Sequence, residues 1–158
     1  MAVMKRALLL LAAASLIAAC TTATKNKNAS LVKPELALEQ LVGPSDLGYP
    51  AGRIDVQFAL HVANRSAEPL TVRRVEIGTI SQGAYVLRRE SFLFDKQIPP
   101  GGIDAVTFWA KGYARGGGPT GFGAQEPVTV RAIVYFQTPA GPFQQVVVRD
   151  LGQWDSRR

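Results

Sequence analysis

The chain has 158 residues, 47% of them hydrophobic, and a formal net charge of +6. That length holds one domain, or one domain and a tail, and is too short for a TIM barrel; the apolar content is too high and too evenly spread for a disordered chain. The single cysteine excludes an intrachain disulfide, a cysteine-based zinc site and a redox pair.

Residues 1–6 (MAVMKR) are short and positive, and residues 7–19 are apolar apart from Ser15. As a helix this run spans about 20 Å, short of the roughly 30 Å of a bilayer core. Residues 1–19 therefore read as a signal peptide, not a membrane span. The end of the run, LIAAC at 16–20, resembles the lipobox of bacterial lipoproteins. Small residues there admit the signal peptidase to the backbone. The resemblance implies a diacylglycerol on the Cys20 thiol and a third chain on its freed amine. Two or more acyl chains hold a protein stably, so the expected membrane contact runs through the lipid anchor at Cys20. Thr21 after the cysteine, by resemblance to enterobacterial sorting, implies the outer membrane facing the periplasm. Without residues 1–19 the chain is about 42% hydrophobic, close to ordinary globular usage, and it loses the charges of Lys5 and Arg6.

Residues 20–33 follow as a flexible tether, polar and without periodicity, with a mean reach of roughly 20 Å. Residues 31–42 (LVKPELALEQLV) fit either a strand or a helical face, and Pro34 favours an edge strand or a strand start. Residues 43–52 (GPSDLGYPAG) are turn-rich and read as a loop. Ile54, Val56, Phe58, Leu60 and Val62 then alternate with Asp55, Gln57, Ala59, His61 and Ala63. That is the period of a half-buried strand, ended by the turn residues NRSAEP at 64–69. Leu70 and Val72 start the next strand in one phase, and Val75 and Ile77 continue in the other. The slip at Arg73 and Arg74 predicts a β-bulge.

Residues 78–83 connect to short strands at 84–87 and 91–94, which flank Arg88, Arg89 and Glu90. IPPGG at 98–102 is a tight loop. Residues 103–111 form a strand with Val106 and Phe108 on one face and Thr107 and Trp109 on the other. VTVRAIVYFQ at 128–137 is apolar on both faces and reads as a central strand. A hairpin turn at 138–142 (TPAGP) leads to a returning strand at 143–149. Phe143 and Val146 to Val148 are expected in the core, and an uncovered edge there is a place for a partner's strand. Residues 155–158 are a frayed tail.

Seven or eight short strands without a convincing helix predict an all-β, antiparallel β-sandwich over residues 34–154. The order of features resembles a known family. KPEL at 33–36 is followed by a strand that closes on Asn64, Arg65 and Ser66. Leu70, Val72, Val75, Ile77 and Gly83 come next, then IPPGG at 98–102 before an apolar strand. This resembles the water-stress-and-hypersensitive-response (WHy) domain of the late-embryogenesis-abundant proteins, over about residues 31–113. The family's turn reads Asn-Pro-Asn; Asn64 matches it, whereas Arg65 and Ser66 replace the other two. The glycine-rich insert at 116–123 also departs from the family pattern. The resemblance implies an immunoglobulin-like or fibronectin-III-like sandwich and a non-enzymatic role in binding or protecting molecules under desiccation or other stress. It implies no catalytic residues and no cofactor.

Other chemistry is thin. GGGPTG at 116–121 satisfies G-x-G-x-x-G, but FGAQEP follows it and is no helix to hold a pyrophosphate. It reads as a surface loop, with Phe122 folded back or touching a partner. His61 is the sole histidine, on the polar side of its strand, and no Gly-x-Ser-x-Gly elbow accompanies it. A lone histidine and scattered acids make no metal site. Arg73, Arg74, Arg88 and Arg89, with Arg131 and Arg149, lie in or beside strands. They read as a solubilising surface or as contacts for lipid phosphates or an acidic envelope polymer. Adjacent strand residues point to opposite faces, and a bulge would put both members of a pair on one. An extracytoplasmic address leaves nucleic acid out as a partner. The sequence thus points to a membrane-tethered WHy-like envelope lipoprotein. The alternative is an accessory lipoprotein subunit of an envelope secretion, pilus or transport complex.

Overall fold

The computed structural model describes residues 32–48, 51–116 and 126–151. The signal peptide, Cys20, most of the tether, Phe122 and the tail at 155–158 lie outside the described residues. Eight strands form among those described: β1 (Glu35–Val42), β2 (Ala51–Ala63), β3 (Leu70–Thr79), β4 (Tyr85–Leu87), β5 (Glu90–Ile98), β6 (Ile103–Arg115), β7 (Val128–Thr138) and β8 (Gly141–Leu151). They build two four-stranded sheets, ordered β1-β2-β6-β4 and β5-β3-β7-β8. Every pairing is antiparallel. The domain is an antiparallel β-sandwich of the immunoglobulin- and fibronectin-III-like class.

Alternation sets which face of each strand is covered. In β2, Ile54, Val56, Phe58, Leu60 and Val62 are at most 6% exposed, while Asp55, Gln57 and His61 turn outward. Val72, Val75 and Ile77 of β3 and Val130, Val134 and Phe136 of β7 belong to the same core. Each such side chain gains about 1.5–3 kcal/mol by leaving water, so the phase of the pattern selects the inner face. Aromatic rings join the sheets. Phe108 of β6 stacks on Phe92 of β5 with centroids 4.7 Å apart, and lies 6.0 Å from Phe58 of β2 and 6.2 Å from Phe94 of β5.

The predicted bulge in β3 is present. Val72 and Val75 are both fully buried, and the register against β5 and against β7 shifts between Val72 and Arg74. Two residues between two inward valines both go to the outer face, so Arg73 and Arg74 share it. Several boundaries move. β2 begins at Ala51, inside the expected loop, and β3 keeps Gly78 and Thr79. β5 runs to Ile98, past the expected end at 94. β6 continues past Lys111 because Ala110 and Ala114 keep the inward phase and Gly112 admits the β4 backbone. A Cβ at Gly112 would lie 3.0 Å from the Val86 carbonyl oxygen.

One core expectation fails. Val146 and Val148 are 51% and 52% exposed. β8 is the edge of its sheet, and only its other phase packs inward, through Phe143, Val147 and Leu151. A run of valines carries no parity of its own, so the strand's position decides which are covered.

At one end, two turns are tied by Asn64, 2% exposed and the buried polar residue among those described. Its Nδ2 donates to the carbonyls of Glu68 (2.9 Å), Ile98 (3.2 Å) and Pro99 (3.1 Å). Its Oδ1 accepts from the N–H (3.0 Å) and hydroxyl (2.7 Å) of Ser66. The second turn closes through Gly102 N–H donating to Pro99 O at 3.0 Å. Pro100 takes its second position and Gly101, with φ of 69°, its third. That is the residue pattern of a type II turn.

Candidate binding surface

Among the described residues, catalytic side chains are not brought together around His61. His61 Nε2 lies 3.0 Å from Glu39 Oε2, and both side chains are about half exposed. Among the described residues, no group of three or more His, Cys, Asp or Glu side chains is placed to hold a metal ion. The fold instead presents two outer sheet faces of different chemistry.

The outer face of β5-β3-β7-β8 carries arginine. Arg73 pairs with Asp95 of β5. Arg74 lies 3.9 Å above the centre of the Tyr135 ring, a cation–π contact, and 3.3 Å from Glu76. Arg89 reaches the same carboxylate at 2.9 Å. Arg131 lines a shallow cleft with Arg89, Glu76 and Gly78. Three of the four predicted arginines, Arg73, Arg74 and Arg89, therefore gather here with Arg131. Arg88 stays beside the first sheet, its N–H donating to Lys111 O at 3.2 Å. Arg149 falls in the inward phase of the edge strand β8, opposite Val130. Glu76 and Asp95 offset part of the positive charge, so this face is less basic than its arginine count.

The hydrogen bond from Arg89 holds the Glu76 carboxyl below its usual range, and Tyr135 and Arg74 pull the same way against desolvation. Hydrogen bonds from Arg65 and from Lys96 lower Glu35 and Asp104 likewise. A carboxylate with a depressed folded value stabilises the fold above its ordinary value and loses that contribution as pH falls through the depressed one. The urea midpoint of the protein should therefore fall between about pH 6 and pH 3, and less steeply in Glu76→Gln. Parallel slopes in the two proteins would remove Glu76 from this explanation.

The outer face of β1-β2-β6-β4 is aromatic. Along β6 the phase opposite to Val106, Phe108, Ala110 and Ala114 presents Trp109, Lys111 and Tyr113. Trp109 is 50% exposed and Tyr113 60%. Residues directly across a sheet share a face, and the register places Gln57, Asp55 and Arg53 of β2 opposite these three. Val86 of β4 flanks Tyr113. The result is a strip of two rings with amide, carboxylate and cationic side chains beside them.

No family model matches the chain, and no curated protein matches it. Solved structures align with much of its length. A structural-genomics target named SoR45 aligns with a TM-score of 0.50 at 9% identity, over 78% of this chain and 87% of its own. A protein from Archaeoglobus fulgidus aligns at 0.46 and 10% identity, over 75% of this chain and 94% of its own. The GAE domain of GGA2p from Saccharomyces cerevisiae aligns at 0.40 and 9% identity, over 77% and 92%. At 9% identity the likeness to SoR45 is one of fold alone.

Sequence reasoning pointed to the arginines and passed over the aromatic strip. The signal for the strip was present. Once Val106 and Phe108 point inward, Trp109 and Tyr113 must point out, because side chains alternate along a strand. What sequence could not supply was the neighbouring row on β2, which lies about fifty residues earlier in the chain.

Proposed function

We propose that this protein is a non-enzymatic lipoprotein of the bacterial envelope, held in the outer membrane through Cys20, whose WHy-like sandwich binds or shields other molecules. The observation that carries the binding role is the aromatic strip. Large rings exposed on one sheet face mark a candidate contact surface, and Trp109 and Tyr113 share the outer face of β6 on either side of Lys111. The lipobox-like LIAAC supports the anchor. The WHy reading draws support from Asn64, which joins two segments the resemblance rests on, 64–66 and 98–102. Stress protection is the role that resemblance implies. An acidic envelope surface is a second ligand class, offered by Arg73, Arg74, Arg89 and Arg131.

The test uses the full chain in its native membrane. Palmitate should label the wild type and not Cys20→Ser; equal labelling of both overturns the anchor. A photo-crosslinking residue at position 109 or 113 should capture envelope components, and one at buried position 108 should not. Capture of one stoichiometric protein identifies an accessory subunit of an envelope assembly. Capture of many clients at low yield identifies the shielding role. No capture from either aromatic position overturns the binding face.

A further inference from the structure

The edges of the two sheets are unequal. A strand edge with free N–H and C=O groups invites pairing, and proteins blunt it with shortness, bulges, proline or charge. β1 follows Pro34, carries Glu35 and Glu39, and shifts register between Gln40 and Val42. β4 has three residues. β5 bears Glu90, Asp95 and Lys96, and reaches β6 through Lys96–Asp104 and Glu90–Lys111 contacts. β8 has eleven residues and an unbroken register along β7. No residue from Phe143 to Val148 is charged. Among the described residues, no strand hydrogen-bonds to its outer edge.

The groups on that edge can be assigned. Thr138 and Gly141 face each other across a two-residue turn, and such a flanking pair is hydrogen-bonded. Alternation then gives Phe143, Gln145, Val147, Arg149 and Leu151 to β7. Gln144, Val146, Val148 and Asp150 are left with N–H and C=O pointing away. Pro142 falls in this outward set, where its missing N–H costs β7 nothing. The free ladder therefore begins after Pro142 and ends at Leu151, with Val147 at its centre.

We propose that β8 is a homodimer interface, pairing antiparallel with β8 of a second copy about a two-fold axis at Val147. The occupant is argued from self-complementarity, which an isologous contact requires. In this register Val146 faces Val148 of the second copy and Gln144 faces Asp150, all on the outer face. On the inner face Val147 meets its own copy, Phe143 meets Leu151, and Gln145 meets Arg149. No charge faces a like charge. The Gln145 Oε1 atom is buried without a hydrogen-bond partner, and turning the side chain toward the edge in this register gives it a guanidinium donor, Arg149 of the second copy. Exposed Val146 and Val148 become a cross-strand apolar pair. The two β5-β3-β7-β8 sheets merge into one.

The Val147 pair lies at a non-hydrogen-bonded position, where facing side chains are closest, within reach of a disulfide. The test is oxidative crosslinking of the full chain in membranes, with Val147→Cys in the wild-type background so that the Cys20 anchor is kept, and the wild type alone as the blank for any dimer through Cys20. Val147→Cys should give about tenfold more covalent dimer than Phe143→Cys, whose side chain faces Leu151 instead of itself. Adding Val146→Lys and Val148→Lys should abolish that dimer, because these positions face each other, while the thermal transition stays within a few degrees. Equal dimer from Val147→Cys and Phe143→Cys overturns the register. A crosslinked band of another mass, or no dimer at all, overturns the second copy as occupant.

Discussion

Asn64→Asp will lower the melting temperature of the domain by about 10 °C, reflecting a loss of about 3 kcal/mol. The Nδ2 of Asn64 faces three carbonyl oxygens, from Glu68, Ile98 and Pro99. Aspartate would set an anionic acceptor against three acceptors, at a site 2% exposed. Burying a charge without a donor is among the costliest single changes a fold can suffer. The penalty should shrink on acidification, because the protonated carboxyl regains one donor. Arg65→Ala next door removes only an exposed pair with Glu35 and should move the transition by less than about 2 °C. A scan in which both variants melt alike would show that Asn64 does not tie the two turns.

Phe108→Ala is expected to cost about 3–5 kcal/mol. Its ring meets Phe58 from its own sheet and Phe92 and Phe94 from the opposite one. Truncation opens a hole where the sheets are joined, and a close-packed interior collapses only partly around it. Against a total of about 5–15 kcal/mol for a domain, this is a large share. Urea unfolding should show the midpoint falling sharply at constant slope. Trp109→Ala, one residue along, removes a half-exposed ring and should stay within about 1 kcal/mol of the wild type. The contrast tests the phase of β6 directly: equal losses would mean its two faces are not divided as described.

The face of each strand was legible wherever large apolar and polar residues alternate. Ile54 to Val62 read as a half-buried strand and form one, and the phase slip at Arg73 and Arg74 marked a bulge that exists. Legibility failed where the pattern has no contrast. Val146, Val147 and Val148 look alike, and only their edge position separates the packed one from the exposed two. Asn64 read as a turn former, which it is, but its hold on 98–99 joins groups more than thirty residues apart.

The same division separates what the chain determined alone from what the tertiary structure decided. Alternation, turn residues and the bulge are local, since period two and φ preference act within a few residues. They set an all-β chain and the inner face of most strands. Sheet order, the gathering of Arg73, Arg74, Arg89 and Arg131 without Arg88, the aromatic strip beside Gln57 and Asp55, and the open edge of β8 are non-local. Each depends on which strand becomes whose neighbour, and that choice is made by burying the whole set of inner faces at once.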